Sequence, residues 1–166
     1  GVTRQGGFAP VILPYAVTRL GKAPLPAPEP FNPGRFFRGL DDCRRVEVRG
    51  VVQGFWTRPP LGMVLVLDAD PGRFMARLPL EARDACEGLI EAEVRLRGVA
   101  MAAFNTRGEL LMPSVFVNSL SDLTVERPPG NAPFEAPQVP LRDVGGHRSD
   151  FGGKYRLHVE GVVTYA

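Results

Sequence analysis

Arg44-Arg45-Val46-Glu47-Val48-Arg49-Gly50-Val51-Val52-Gln53-Gly54-Phe55 alternates apolar with polar residues, the period of a strand with one buried face. Val46, Val48 and Val52 fall on one side; Arg45, Glu47 and Arg49 fall on the other. Gly50 interrupts the inward row, and an in-strand glycine predicts a bend or bulge of the kind that barrel closure requires. The stretch also recurs. Val46-Glu47-Val48-Arg49-Gly50-Val51-Val52 returns as Leu157-His158-Val159-Glu160-Gly161-Val162-Val163. The Pro-rich Ala23-Pro24-Leu25-Pro26-Ala27-Pro28 returns as Ala132-Pro133-Phe134-Glu135-Ala136-Pro137. Both offsets are about 110 residues, longer than solenoid periods and suited to a tandem array of small domains.

Outward from that strand, Gly62–Asp68 predicts a second strand, and Asp68-Ala69-Asp70-Pro71-Gly72 a turn. Arg73–Leu78 predicts a third strand. Pro79 then opens a short helix that ends at Gly88. Glu91–Met101 alternates as a fourth strand; Leu110–Val117, continued by Leu120–Glu126, predicts a long, bent fifth. Three strands, a helix and two strands is the order of the OB-fold. The fold class read from this order is all-β: an OB-fold-like five-stranded Greek-key barrel with one short helix and partial flanking repeats at both ends. Val46, Val48, Leu65, Leu67, Phe74, Val94, Leu96 and Val115 are the expected core.

The repeat sets the expected domains. Residues 1–22 read as the tail of a preceding OB-like repeat, with Gly1-Val2-Thr3 matching Gly98-Val99-Ala100 and Phe8–Leu13 matching Leu111–Phe116. Residues 23–33 form a linker with five prolines, expected to be extended. Residues 34–127 are the complete OB-like domain, 128–150 a second linker, and 151–166 the first strand of a following repeat. Both arms carry apolar rows: Phe8, Val11, Leu13 and Val17 in one, Leu157, Val159 and Val163 in the other. They are expected to find β partners in each other, in the barrel edge, or in another copy as a strand-paired or swapped dimer.

Composition sets bounds on function. Hydrophobic residues make up 44%, ordinary for a globular domain, and Gly 19 and Pro 17 suit short strands and tight turns. A net charge of +2 disfavours general nucleic-acid binding. Cys43 and Cys86 form no CxxC pair; two buried thiols or one disulfide both fit, and the buried thiols are preferred. His147 and His158 lack further ligands at metal spacing, and Asp68 and Asp70 read as a solvated turn. No nucleophile elbow, phosphate loop or dinucleotide fingerprint is present, so no catalytic residue, metal or cofactor is expected.

Two loops hold the candidate ligand-binding residues: Phe55, Trp56 and Arg58 between strands one and two, and Phe104, Asn105 and Arg107 between strands four and five. In OB-folds these loops and the adjacent face bind oligonucleotides and oligosaccharides. Aromatic rings beside Arg and Asn can stack on a ligand ring and bond its edges. Phe55 and Trp56 would equally cap the barrel mouth or pack on the linker. On strands one and four, Arg45, Glu47 and Arg49 should face Glu93, Arg95 and Arg97, as cross-strand ion pairs or as a stripe for a polyanion.

The Pro-rich linker, the "VEVRGVV" and "VRLRGVA" strands, "FNTRGEL" and "PSVFV" together resemble a repeat found in the extracytoplasmic region of bacterial sensor histidine kinases. That resemblance implies a non-catalytic sensory or spacer module, periplasmic and part of an inner-membrane protein in a two-component system. Its implied partners are neighbouring repeats of the same protein and an unknown small ligand or protein. The rival reading is an OB-fold module that binds single-stranded nucleic acid or oligosaccharide.

Overall fold

The computed structural model describes residues 1–6, 10–57, 59, 62–130, 136, 138–144, 157–162 and 164. A closed barrel is built from β4 (Arg45–Thr57), β5 (Met63–Ala69), β6 (Gly72–Leu78), β7 (Glu93–Met101) and β8 (Ser114–Phe116). β4 pairs with β5, β5 with β6, β6 with β8, β8 with β7, and β7 with β4, which closes the ring in the OB order. All eight expected core residues are buried, joined by Met63, Leu78, Ala100 and Val117.

β4 closes the barrel because it serves two neighbours in turn. Arg45–Val51 pairs with β7, and Val51–Thr57 pairs with β5. The bulge falls at Gln53, where the register shifts between Val52 and Gly54, and not at Gly50 as the sequence suggests. Gly50 is needed for close approach: a Cβ there would lie 3.0 Å from the Asp68 carbonyl oxygen and press on Leu67 and Phe74.

The expected fifth strand is broken. β8 ends at Phe116, a 3-10 turn spans Leu120–Asp122, and β9 (Leu123–Arg127) resumes along the same edge of β7. The connection after β6 is a 3-10 turn, Leu80–Ala82, running into α2 (Arg83–Glu87), with Gly88 at its C-cap. Ala82, Cys86 and Leu89 carry this connection into the core.

Ahead of the barrel, α1 (Pro33–Phe36) is N-capped by Asn32, whose Oδ1 accepts the Arg35 N–H at 3.1 Å. Phe36 meets Phe74 edge-to-face at 5.5 Å, so α1 plugs one end of the barrel. Residues 21–28 of the Pro-rich segment have no regular secondary structure, and Glu29 and Pro30 are docked on the barrel. β3 (Glu29–Pro30) runs parallel to Val46–Glu47, and Arg44 grips the Glu29 carboxylate at 2.8 and 3.0 Å. β1 (Val2–Arg4) and β2 (Val11–Leu13) pair antiparallel with each other as a separate two-stranded sheet. The N-terminal arm thus finds its β partner within itself. Phe8 and Val163 of the two apolar rows lie outside the described residues. Cys86 is a buried free thiol as expected, but Cys43 is exposed, in a turn where its φ is 61°, and no disulfide joins them.

Candidate nucleic-acid interface

The outer surface of the barrel has two unlike faces. On β4, β7 and β9 the outward charged residues are paired. Glu47 accepts from Arg97 at 2.7 Å and lies 3.8 Å from Arg95; Arg49 and Arg95 both reach Glu126, at 2.9 and 3.1 Å. Arg127 pairs with Glu93 at 3.4 Å and Arg45 with Asp122 at 3.6 Å. Hydrogen bonding from Arg97 chiefly holds the Glu47 carboxyl below the usual carboxylate range. Of the two readings of this stripe, the ion-pair ladder is the one that forms.

The opposite face, on β5, β6 and β8, is different. Register sets Trp56 opposite Val64, Val64 opposite Arg77, and Arg77 opposite Phe116, one row across four strands on the side away from the core, with Trp56 exposed, Arg77 and Phe116 half-buried and Val64 buried. The next row places Gly54, Val66, Met75 and Ser114 together. Trp56 is 42% exposed. The Arg77 guanidinium sits 5.1 Å from the centroid of the Phe116 ring. Among the described residues Arg77 has no carboxylate partner, and its Nε is buried without a hydrogen-bond acceptor. Just past this row, the chain after β6 and after β8 encloses an open groove of about 360 Å³, lined by Pro79, Glu81, Ala82, Asn118, Ser119 and Leu120.

The six residues singled out by sequence divide. Trp56 lies on this face. Phe55 points the other way, opposite Leu65, and packs on the core as a plug of the barrel mouth. Arg58 lies outside the described residues. Phe104 is half-buried: it bridges to Leu110, and its ring rests against Gly39, where a Cβ would come within 3.2 Å. Asn105 is used up in shaping its own turn, accepting the Arg107 and Glu109 N–H groups at 2.9 and 3.0 Å and donating to the Glu109 carboxylate at 2.6 Å. Arg107 stands exposed at the tip of that turn. The register puts the flanks of the two loops at opposite ends of β5–β6: Thr57 and Met63 lie at the Leu78 end, and Met101 and Ser114 at the Met75 end. Among the described residues the structure therefore does not unite the two sets of candidates; the β5–β6–β8 face lies between them. Arg77 and Phe116 are the residues sequence reading passed over. The signal for Arg77 was the alternation of Arg73, Met75 and Arg77 against Phe74, Ala76 and Leu78.

No family model and no curated protein matches the chain. Solved structures do. Asparaginyl-tRNA synthetase from Pyrococcus horikoshii, complexed with asparaginyl-adenylate, is 19% identical, with a TM-score of 0.44 over 58% of this chain and 22% of its own. Aspartyl-tRNA synthetase from Entamoeba histolytica is 14% identical, with a TM-score of 0.43 over 56% of this chain and 20% of its own. The chain thus spans about a fifth of the length of these proteins, and the likeness is one of fold. The sensor-kinase reading and the periplasmic placement drawn from it are corrected here: the structures matched are aminoacyl-tRNA synthetases. Among the described residues no helix is long and apolar enough to cross a membrane.

Proposed function

We propose that the barrel is a non-catalytic module that binds single-stranded nucleic acid on the outer face of β5, β6 and β8. The observation that carries this reading is Arg77, stacked on Phe116 with no carboxylate beside it among the described residues, in one row with exposed Trp56. Two aromatic rings and a guanidinium plane offer stacking surfaces for successive bases, and the cation meets the phosphate backbone. The groove beyond Arg77 gives a strand leaving this row a place to run. The net charge of +2 speaks against strong binding, but it is a sum over the whole chain. Most of the cancellation on the barrel happens on the β4–β7–β9 face, where each outward arginine has its carboxylate.

The affinity expected from so few cations is modest, with a Kd of about 10–100 µM at physiological salt, weakening as salt rises. The chain has one tryptophan, so quenching of its emission on titration with single-stranded oligonucleotides reads contact at Trp56 directly. Arg77→Ala is expected to weaken binding by about tenfold, in the range of one lost stacking contact. An oligonucleotide that leaves the emission unchanged, or binds Arg77→Ala as tightly as the parent, would overturn the reading. Quenching by a neutral oligosaccharide with no salt dependence would reassign the face to glycans.

A further inference from the structure

The β1–β2 hairpin repeats the pairing of β7 with β8 residue for residue. In the barrel, Val99, Ala100 and Met101 oppose Phe116, Val115 and Ser114. In the hairpin, Val2, Thr3 and Arg4 oppose Leu13, Ile12 and Val11. The sequence match of Gly1–Thr3 to Gly98–Ala100, and of Val11–Leu13 to Ser114–Phe116, sets the same partners against each other. Gly98 and Gly1 also share a reason to be glycine. A Cβ on Gly98 would collide with the Phe116 carbonyl oxygen, and one on Gly1 would meet the carbonyl oxygen of Leu13, the equivalent residue, at 2.8 Å.

The other end of the chain repeats a second barrel feature. Pro30 lies parallel to Glu47, and Gln138 lies parallel to His158, which stands where Glu47 does in the repeated strand. The Val139 N–H donates to the His158 carbonyl at 2.9 Å. A linker running alongside a first strand therefore occurs twice.

Burial is what separates the two hairpins. Val115 is 0% exposed, whereas Ile12, in its place, is 74% exposed, and Val11 and Leu13 are exposed beside it. In the barrel Val115 is covered because it faces the core, which the pairing of β8 with β6 through Met75, Ala76 and Arg77 helps to close. β2 has the same register and an apolar residue in the matching position, with no such strand beside it among the described residues.

We propose that β1–β2 is the strand-four and strand-five hairpin of a second OB barrel. Its partner is an OB-type meander with the pattern of β4–β6, whose third strand adds parallel to β2 and covers Ile12. A second copy of this chain does not present that edge, because its own β8 already occupies β6.

The test transplants the hairpin. In the full chain, Gly98–Phe116 is replaced by Gly1–Leu13, so that Ile12 takes the place of Val115. The barrel is expected to unfold cooperatively, with the Trp56 emission of the parent. Ile12→Asp in the transplant should abolish that transition, and the same change in the native hairpin should leave it unmoved. In a second arm, a copy of residues 44–97 is placed ahead of Gly1 of the full chain, and hydrogen exchange is followed at Val11–Leu13. At least a tenfold slowing is expected as the new barrel closes. A transplant that folds and is destroyed by Ile12→Asp, or amides that slow in the extended chain, supports the proposal. A transplant that does not fold, together with amides that exchange as before, overturns it.

Discussion

The two faces of the barrel belong to one closed sheet, yet they handle charge differently. On β4, β7 and β9 every outward arginine meets a carboxylate, and Glu47 and Glu126 each serve two guanidinium groups. On β5, β6 and β8 Arg73 pairs with Asp68 at 3.4 Å, but Val64, Val66, Met75 and Phe116 are apolar and Arg77 rests on a phenyl ring. Exposed pairs contribute only a few tenths of a kcal/mol each, so the first face gains little stability but is neutral to a passing polyanion. The second keeps a cation that has an aromatic ring, but no carboxylate, beside it among the described residues. A balanced net charge therefore does not mean a surface without a site.

The sharpest way to break this contrast is at the seam. Gly98 lies where β7 serves both faces, pairing with Val46, and any Cβ there runs into Phe116 and Val115. Gly98→Val is expected to cost about 3 kcal/mol or more and to blur the thermal transition, since β8 can no longer close on β7. A variant with the parental transition would mean that the seam yields more than its geometry suggests.

Arg77→Met sharpens the contrast from the other side. It keeps the side-chain length over Phe116 and removes a buried Nε that has no acceptor. Denaturant unfolding should show the variant as stable as the parent or more so, by about 0.5–1 kcal/mol, while oligonucleotide binding falls. Loss of stability comparable to a core truncation would instead make Arg77 structural.

The smallest effect belongs to the paired face. Glu47→Gln should cost about 0.5 kcal/mol at neutral pH and low salt, and less as salt rises. Because its folded pKa is lowered, chiefly by the Arg97 hydrogen bond, Glu47 stabilises the fold most above the ordinary carboxylate range. That contribution fades as pH falls through the lowered value. Stability curves of parent and variant should converge in acid; a gap that persists there would point to packing and not charge.

Much of the barrel is legible in the sequence because β4, β6 and β7 alternate cleanly, so Val48, Phe74 and Leu96 declare their side. β5 does not alternate: Met63-Val64-Leu65-Val66-Leu67 is apolar on both faces, and nothing in it tells Val64 from Leu65. The candidate face was partly hidden for that reason, since β5, one of its three strands, reads as core on both sides. Sequence drew attention instead to loops rich in aromatic and basic residues. In the structure Asn105 and Phe104 spend their side chains on the loop itself, a use that composition cannot separate from ligand contact. The bulge at Gln53 was displaced from the glycine expected to hold it, because Gly50 answers a steric need and Gln53 a register one.

β3 has a mechanical consequence. It occupies the margin of β4 that β5 leaves open below Val51, with Arg44 clamped to Glu29 beside it and Arg45 donating to the Pro26 carbonyl. Tension arriving along the Pro-rich segment would load this short parallel ladder in shear before it reached the barrel. The ladder would act as a sacrificial fastener: a pull would first undo two residues of pairing and an ion pair, lengthening the tether while the β5–β6–β8 face kept its shape.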